Sequence, residues 1–375
     1  MLNTQAVSPR LVPGLLQAMH TLQMSAILVG EPGIGKTQMV NQFARRLAET
    51  QGLETPVPVR RLILSQIDAV DIRGLTIPDR EAGVTRYLPP EFLPDPKIEP
   101  HGILFLDEID RCEPTIQSSA FTLLLEREVG KVKIPDGWLI VAAANGTEFS
   151  ENTFEFDPAL ADRLVFYKIE PSVEDWLDWG AKTGEIVPDI LAFIKRAPEY
   201  FSNGKQRASG DKLIGVSPRS WHRVSQALSI RMTADEQRAT IMGIVGQEAT
   251  VQLYHTLDQL DQETEVTTLM QTQEIKKIRK LVPATTAGLW RLAYGMTAMA
   301  TTVERAEHAF VIINNLDASR EHDPDLPVLE CQTLAAEMLL EKVDRDLGRD
   351  ALDKLVDTSA FATYDDTRAT RLDAA

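Results

Sequence analysis

One stretch, Gly30-Glu31-Pro32-Gly33-Ile34-Gly35-Lys36-Thr37, constrains this chain more than any other. Its spacing, Gly-x4-Gly-Lys-Thr, is that of a phosphate-binding (Walker A) loop. The context fits. Ser25–Val29 reads as a short buried strand, and Thr37–Glu49 carries apolar residues at helical spacing. Glycine at 33 and 35 lets the backbone wrap closely around phosphate groups, where a side chain would intrude. The loop amides and the start of the following helix then face the anion. Lys36 would neutralise the β- and γ-phosphates of ATP and Thr37 would offer its hydroxyl to Mg²⁺. Gly30, Glu31, Pro32, Gly33, Ile34, Gly35, Lys36, Thr37 and Gln38 are therefore the expected nucleotide contacts.

At 375 residues the chain has room for roughly two or three domains with real cores. A formal charge of −16 argues against general attraction to nucleic acid or anionic membrane, while leaving room for a small basic channel. Cys112 and Cys331 are far apart without metal-ligand spacing, and read as reduced, buried thiols of a cytoplasmic protein. The six histidines are scattered and suggest no metal site. Pro13, Gly14 and His20 interrupt the first apolar residues, so neither a signal peptide nor a membrane span is expected.

To about residue 170, short apolar runs alternate with helical patterns, as in a parallel α/β sheet. Five strands are expected: Ala26–Val29, Val59–Leu64, Gly102–Leu106, Trp138–Ala143 and Leu164–Ile169. The Gly- and Pro-rich segment Asp71–Pro100 is too long for a plain connection and reads as a functional insert, with Gly83–Tyr87 as one arm of a hairpin. Beyond Glu170 the pattern is helical, interrupted by a polar loop at Ser202–Asp211 and an acidic linker at Asp258–Glu265. Trp176 and Trp179 share a helical face, a pair suited to packing between two domains of the chain, or to a partner surface.

Further polar residues stand at the ends of the expected strands. Gly102–Leu106 runs into Asp107-Glu108, a Walker B arrangement: Asp107 is placed to hold Mg²⁺, directly or through water, and Glu108 to orient the attacking water. Leu139–Ala144 ends in Asn145, whose amide can reach both the γ-phosphate and that water. Arg163 precedes the fifth strand, where a guanidinium could stabilise charge on the transferred phosphoryl group, the alternative being a surface arginine paired with Asp157 or Asp162. Ser217-Pro218 opens a helix and puts Arg219 in its first turn, near an anion-friendly terminus.

Together these residues resemble an AAA+ ATPase. Lys36 and Thr37 match its Walker A motif, Asp107 and Glu108 its Walker B, Asn145 sensor 1, Arg163 the arginine finger and Arg219 sensor 2, in that order, over roughly residues 10–257. Within AAA+ the likeness is to the MoxR and dynein-related branch. It is carried by Leu64–Gly74 with the Pro-rich insert behind it, by Lys133–Trp138, and by Ser217–Trp221. The resemblance implies a P-loop αβα sandwich with a five-stranded parallel sheet in residues 1–170, a helical lid in 171–257, and a helical accessory region in 258–375. It also implies assembly into a homo-oligomeric, hexameric ring in which Arg163 (or Arg111 or Arg127) acts on a neighbour's ATP. Inserts near Gly74–Pro90 and Glu128–Gly137, with Arg80, Arg86, Lys131 and Lys133, would face the ring axis. MoxR relatives remodel or mature protein clients, often with a von Willebrand factor A-domain partner. A nucleic-acid-directed motor is the alternative, disfavoured by the acidic chain and the lack of an aromatic-rich basic patch. A scaffold without turnover would not need Glu108, Asn145 and Arg163.

Overall fold

The computed structural model describes residues 5–95, 97–130, 132–145, 163–203, 215–262 and 264–373. Lys131, Asp157, Asp162 and nearly all of the expected 202–211 loop lie outside them. In the first unit, apolar strands β2 (Ala26–Gly30), β6 (Gly102–Asp107) and β9 (Trp138–Ala144) are buried along their whole length. Strands buried on both faces need no alternation, which is why they read as continuous apolar runs. With β1 (Ala6–Val7), β3 (Val59–Ile63) and β10 (Val165–Ile169) they form a six-stranded parallel sheet in the order β1-β10-β2-β9-β6-β3. The sixth strand, β1, is only two residues long, too short to leave a periodic signal in the sequence.

Helices cover both faces. On one, α1 (Val12–Leu22) and α2 (Lys36–Thr50) bury Val12, Leu16, Val40, Phe43 and Leu47 against Ile103, Phe105, Leu139 and Val141. On the other, α3 (Ala69–Arg73) and α4 (Pro114–Glu126) bury Ile72, Ile116, Ala120 and Leu124 against Leu104, Leu106 and Ile140. Strand alternation sends neighbouring residues of β6 and β9 to opposite layers, giving the αβα sandwich. Each side chain of this size contributes about 1.5–3 kcal/mol by leaving water. The Pro-rich insert does hold a hairpin, β4 (Leu75–Asp79) paired antiparallel with β5 (Val84–Leu88), and β7 (Glu128–Val129) pairs with β8 (Val132–Lys133).

The second unit comprises Val173–Ser202 and the chain from Ser220 onward, while Ser217–Arg219 group with the first unit. Its described elements are helical. One apolar cluster extends from Trp176 through Trp221, Trp290 and Phe310 to Tyr364. Trp176 packs against Phe201 at 5.5 Å inside the cluster, and Trp179, half-buried, packs against the cluster and His222 at 5.8 Å. Cys112 and Cys331 are buried free thiols. No described helix is long and apolar enough to cross a membrane.

Trp138 ties the first unit together at the start of β9. It is fully buried, its indole N–H donates to the Glu99 carbonyl at 2.8 Å, and the Arg60 guanidinium lies 5.6 Å from its ring. Trp138→Ala should lower the opening free energy of the β6 and β9 amides by about 3–5 kcal/mol, measured by native-state hydrogen exchange.

Candidate active site

Parallel register brings the C-terminal ends of three strands together. Val29 of β2 lies opposite Ala144 of β9, and Leu106 of β6 opposite Ala142. Gly30, Asp107 and Asn145 therefore emerge at one edge of the sheet, beside the start of α2. The loop turns through Gly33 (φ +89°) and Gly35 (φ +102°), left-handed conformations that favour glycine. At Gly33 the backbone is also hemmed in: a Cβ there would lie 2.8 Å from the Ser217 hydroxyl, and the Gly33 carbonyl accepts the Arg219 amide at 3.2 Å. Thr37 and Gln38 follow in the first turn of α2, and Ile34 anchors the loop in the α1/α2 layer.

Lys36 is buried. Its ammonium donates to the carbonyls of Gly30 (2.7 Å) and Glu31 (3.2 Å) and to Oδ1 of Asn145 (3.1 Å). The Asn145 amide N–H in turn donates to Oδ2 of Asp110 at 2.8 Å, a carboxylate that is itself 1% exposed. Burial pushes the Lys36 pKa down to about 8, with Asp110 and Asp107 opposing the shift and the Arg219 charge adding to it.

The two carboxylates after β6 are both engaged. Oδ2 of Asp107 accepts Nε (3.0 Å) and Nη2 (2.6 Å) of Arg61, and Oδ1 accepts the Glu108 amide at 3.0 Å. Glu108 has φ +59°, an uncommon conformation for a residue with a side chain, costing roughly 1–3 kcal/mol. Its carboxylate accepts the Ser65 hydroxyl, and Arg111 lies 3.9 Å away. The turn is fixed to β9 through the Ile109 amide, which donates to the Ala143 carbonyl at 3.0 Å.

The expected arginines differ in environment. Arg163 is exposed and pairs with Glu126 at 3.4 Å. Arg127 turns inward, its Nη2 donating to the carbonyls of Pro135 (3.3 Å) and Trp138 (2.7 Å) and fastening the β7–β8 hairpin to the start of β9. Arg219 is exposed. Three participants went unread in the sequence: Arg61, Ser65 and Asp110. Arg61 had a signal, since consecutive arginines are out of place in a strand otherwise reading Val-Leu-Ile. Ser65 and Asp110 had none that separates them from ordinary turn residues.

This geometry accompanies a family match. Residues 25–164 match the AAA domain, dynein-related subfamily. The match covers the AAA strands β2, β3, β6 and β9, together with Lys36, Asp107, Glu108 and Asn145. It ends just past Arg163 and before Arg219. No curated protein matches the chain. Among solved structures, similarity is found to a candidate ATPase from Cytophaga hutchinsonii (14% identity, 92% of this chain and 88% of that one, TM-score 0.30). It is also found to a point mutant of RuvB from Thermotoga maritima (15%, 72% and 74%, 0.36). A third is NtrX from Brucella abortus in complex with ADP (14%, 90% and 67%, 0.36).

Thr37 and Asp107 offer hard oxygen donors, the chemistry that suits Mg²⁺ with its remaining positions filled by nucleotide oxygens and water.

A pH dependence follows from Lys36. Its folded pKa, about 8, lies below the ordinary 10.5, so the unfolded chain holds more protons between those values. Lys36 therefore costs stability below about pH 8, and the cost is relieved as pH rises to 10.5. Nucleotide binding has the opposite sense, because the phosphates need the ammonium. ATP affinity should fall as pH rises past about 8, with proton uptake on binding at about pH 8.5, measured by calorimetry in buffers of different ionisation enthalpy.

Proposed function

We propose that this chain is an ATP-hydrolysing AAA+ ring ATPase of the MoxR type that remodels or matures a protein client, with a von Willebrand factor A-domain protein as its partner. The observation that carries the ATPase reading is the bond from Lys36 to Asn145, which joins the phosphate loop to the neighbouring strand end beside Asp107 and Glu108. The ring, client and partner rest on the resemblance, and so does the division into 1–170, 171–257 and 258–375.

In this reading the loop amides from Gly33 to Thr37 cradle the phosphates, and Lys36 exchanges its backbone carbonyls for phosphate oxygens. Thr37 and Asp107 would hold Mg²⁺, which would draw charge from the β- and γ-phosphates. Asn145 keeps Lys36 aligned and is within reach of the γ-phosphate, its own backbone fixed by Asp110. Glu108 acts on water only after leaving Ser65, so turning that side chain separates a held state from a hydrolytic one. Arg219, beside Gly33, adds positive charge to the same pocket. Arg163, already exposed, acts across a protomer boundary.

Glu108→Gln should retain ATP binding and lose hydrolysis by roughly a hundredfold or more, measured as phosphate release. Lys36→Ala should weaken binding itself by about tenfold to a hundredfold in a fluorescent-nucleotide titration. Full turnover in Glu108→Gln would rule out Glu108 as the water-orienting group. Mixing Arg163→Ala with Glu108→Gln protein should restore part of the activity, and no rescue at any ratio would contradict action in trans. For the partner, tagged Glu108→Gln protein should capture a von Willebrand-type protein or a defined client from host lysate only with ATP. Salt-sensitive recovery of DNA or RNA instead would replace the remodelling reading with a nucleic-acid motor.

A further inference from the structure

We propose that Arg61 is a positioning residue that competes with Mg²⁺ for Asp107 and so sets how much magnesium nucleotide binding requires. This rests on reading Asp107 as the metal-facing carboxylate. Both guanidinium contacts, Nε at 3.0 Å and Nη2 at 2.6 Å, fall on the same oxygen, Oδ2, while Oδ1 already accepts the Glu108 amide. A divalent cation approaching Asp107 therefore meets a carboxylate engaged at both oxygens, with a positive charge in place. A guanidinium is always protonated and cannot yield by losing its charge, so it must share the carboxylate or move.

The fold supplies both the encounter and the exit. Arg61 lies opposite Phe105 in the parallel register and Ile63 opposite Asp107, so strand alternation puts Arg61 and Asp107 on the same face. Arg60 takes the opposite face and pairs with Glu99. The Asp107 side chain is 12% exposed but that of Arg61 is 46% exposed, because β3 is the edge of the sheet. Beside the strand opens a groove of about 670 Å³, bordered by both Arg60 and Arg61 together with Asp71 and Glu91. Here one partner is held in the site, and the other stands largely in the open at the edge of the sheet, where its long side chain has room to move.

The test uses the full-length protein and a fluorescent ADP analogue titrated at graded Mg²⁺, reading the Mg²⁺ concentration that half-maximally strengthens nucleotide binding. Arg61→Gln should lower that concentration about tenfold, within the usual range for coupling between two ligands. Arg61→Lys, which keeps charge without paired donors, should lie between Arg61→Gln and the parent. Arg60→Gln should leave it unchanged, and Asp107→Asn should abolish the Mg²⁺ effect. An unchanged or raised requirement in Arg61→Gln overturns the proposal, as does an equal fall in Arg60→Gln, which would point to loosening of the edge strand. Should Arg61→Gln fail to fold, an unchanged requirement in Arg61→Lys overturns it instead. If the parent responds to Mg²⁺ and Asp107→Asn responds equally, the reading of Asp107 itself has failed. A parent without any Mg²⁺ response overturns both.

Discussion

A buried ammonium is the constraint around which the first unit is arranged. Taking Lys36 out of water is costly, and the fold answers with backbone carbonyls, an amide oxygen and two nearby carboxylates. Those groups come from three different strands, so they converge only if β2, β9 and β6 are adjacent and parallel, with their C-terminal ends level. The register provides that, placing Gly30, Asn145 and Asp107 along one edge. Compensation is incomplete, as the lowered pKa records. A site whose cation is under-satisfied by its own protein is one that gains from an anionic ligand. Sheet order, strand length and loop conformation thus serve a single electrostatic requirement.

The acidic side of the site is governed from another direction. Asp107 and Glu108 are both held from the edge strand and its continuation, the first by Arg61 and the second by Ser65. The spacing is what places them. Arg61 and Ser65 are four residues apart, spanning the end of β3 and the short turn after it, while Asp107 and Glu108 are consecutive at the end of β6. The left-handed backbone at Glu108 turns its side chain away from the path that strand alternation would give it, toward Ser65. Neither contact is visible from the motif alone, because each depends on which strand lies beside β6.

Much of the fold was legible because it rests on local signals. Continuous apolar runs marked the strands ending at Gly30, Asp107 and Ala144, and the glycine spacing marked the loop. Polar residues directly after buried strands identified Asp107, Glu108 and Asn145. What stayed hidden depends on pairing between distant segments. The two-residue strand β1 exists only through its bonds to Lys168 and Ile169. Asp110 matters because its carboxylate meets the amide of Asn145, thirty-five residues away. Trp176 and Trp179 read as a pair for a junction or a partner surface; in the structure Trp176 sits in the helical unit's core and Trp179 packs half-buried against it. A helical face announces that it is buried, but not against what.

The contrast between central and edge strands also bears on where this site can change state. Lys36, Asn145 and Asp110 are fastened among elements buried on both faces, where a shift would open the core. Arg61 belongs to a strand with one neighbour and borders an open groove, and Ser65 lies in the short turn after that strand. Local opening is least costly where buried contacts are few. Rearrangement of the Asp107 and Glu108 contacts is therefore cheapest on the β3 side, leaving the phosphate loop and its lysine undisturbed. The site thus divides into a half fastened in the core, around Lys36, and a half at the sheet edge, where the contacts of Asp107 and Glu108 have room to rearrange.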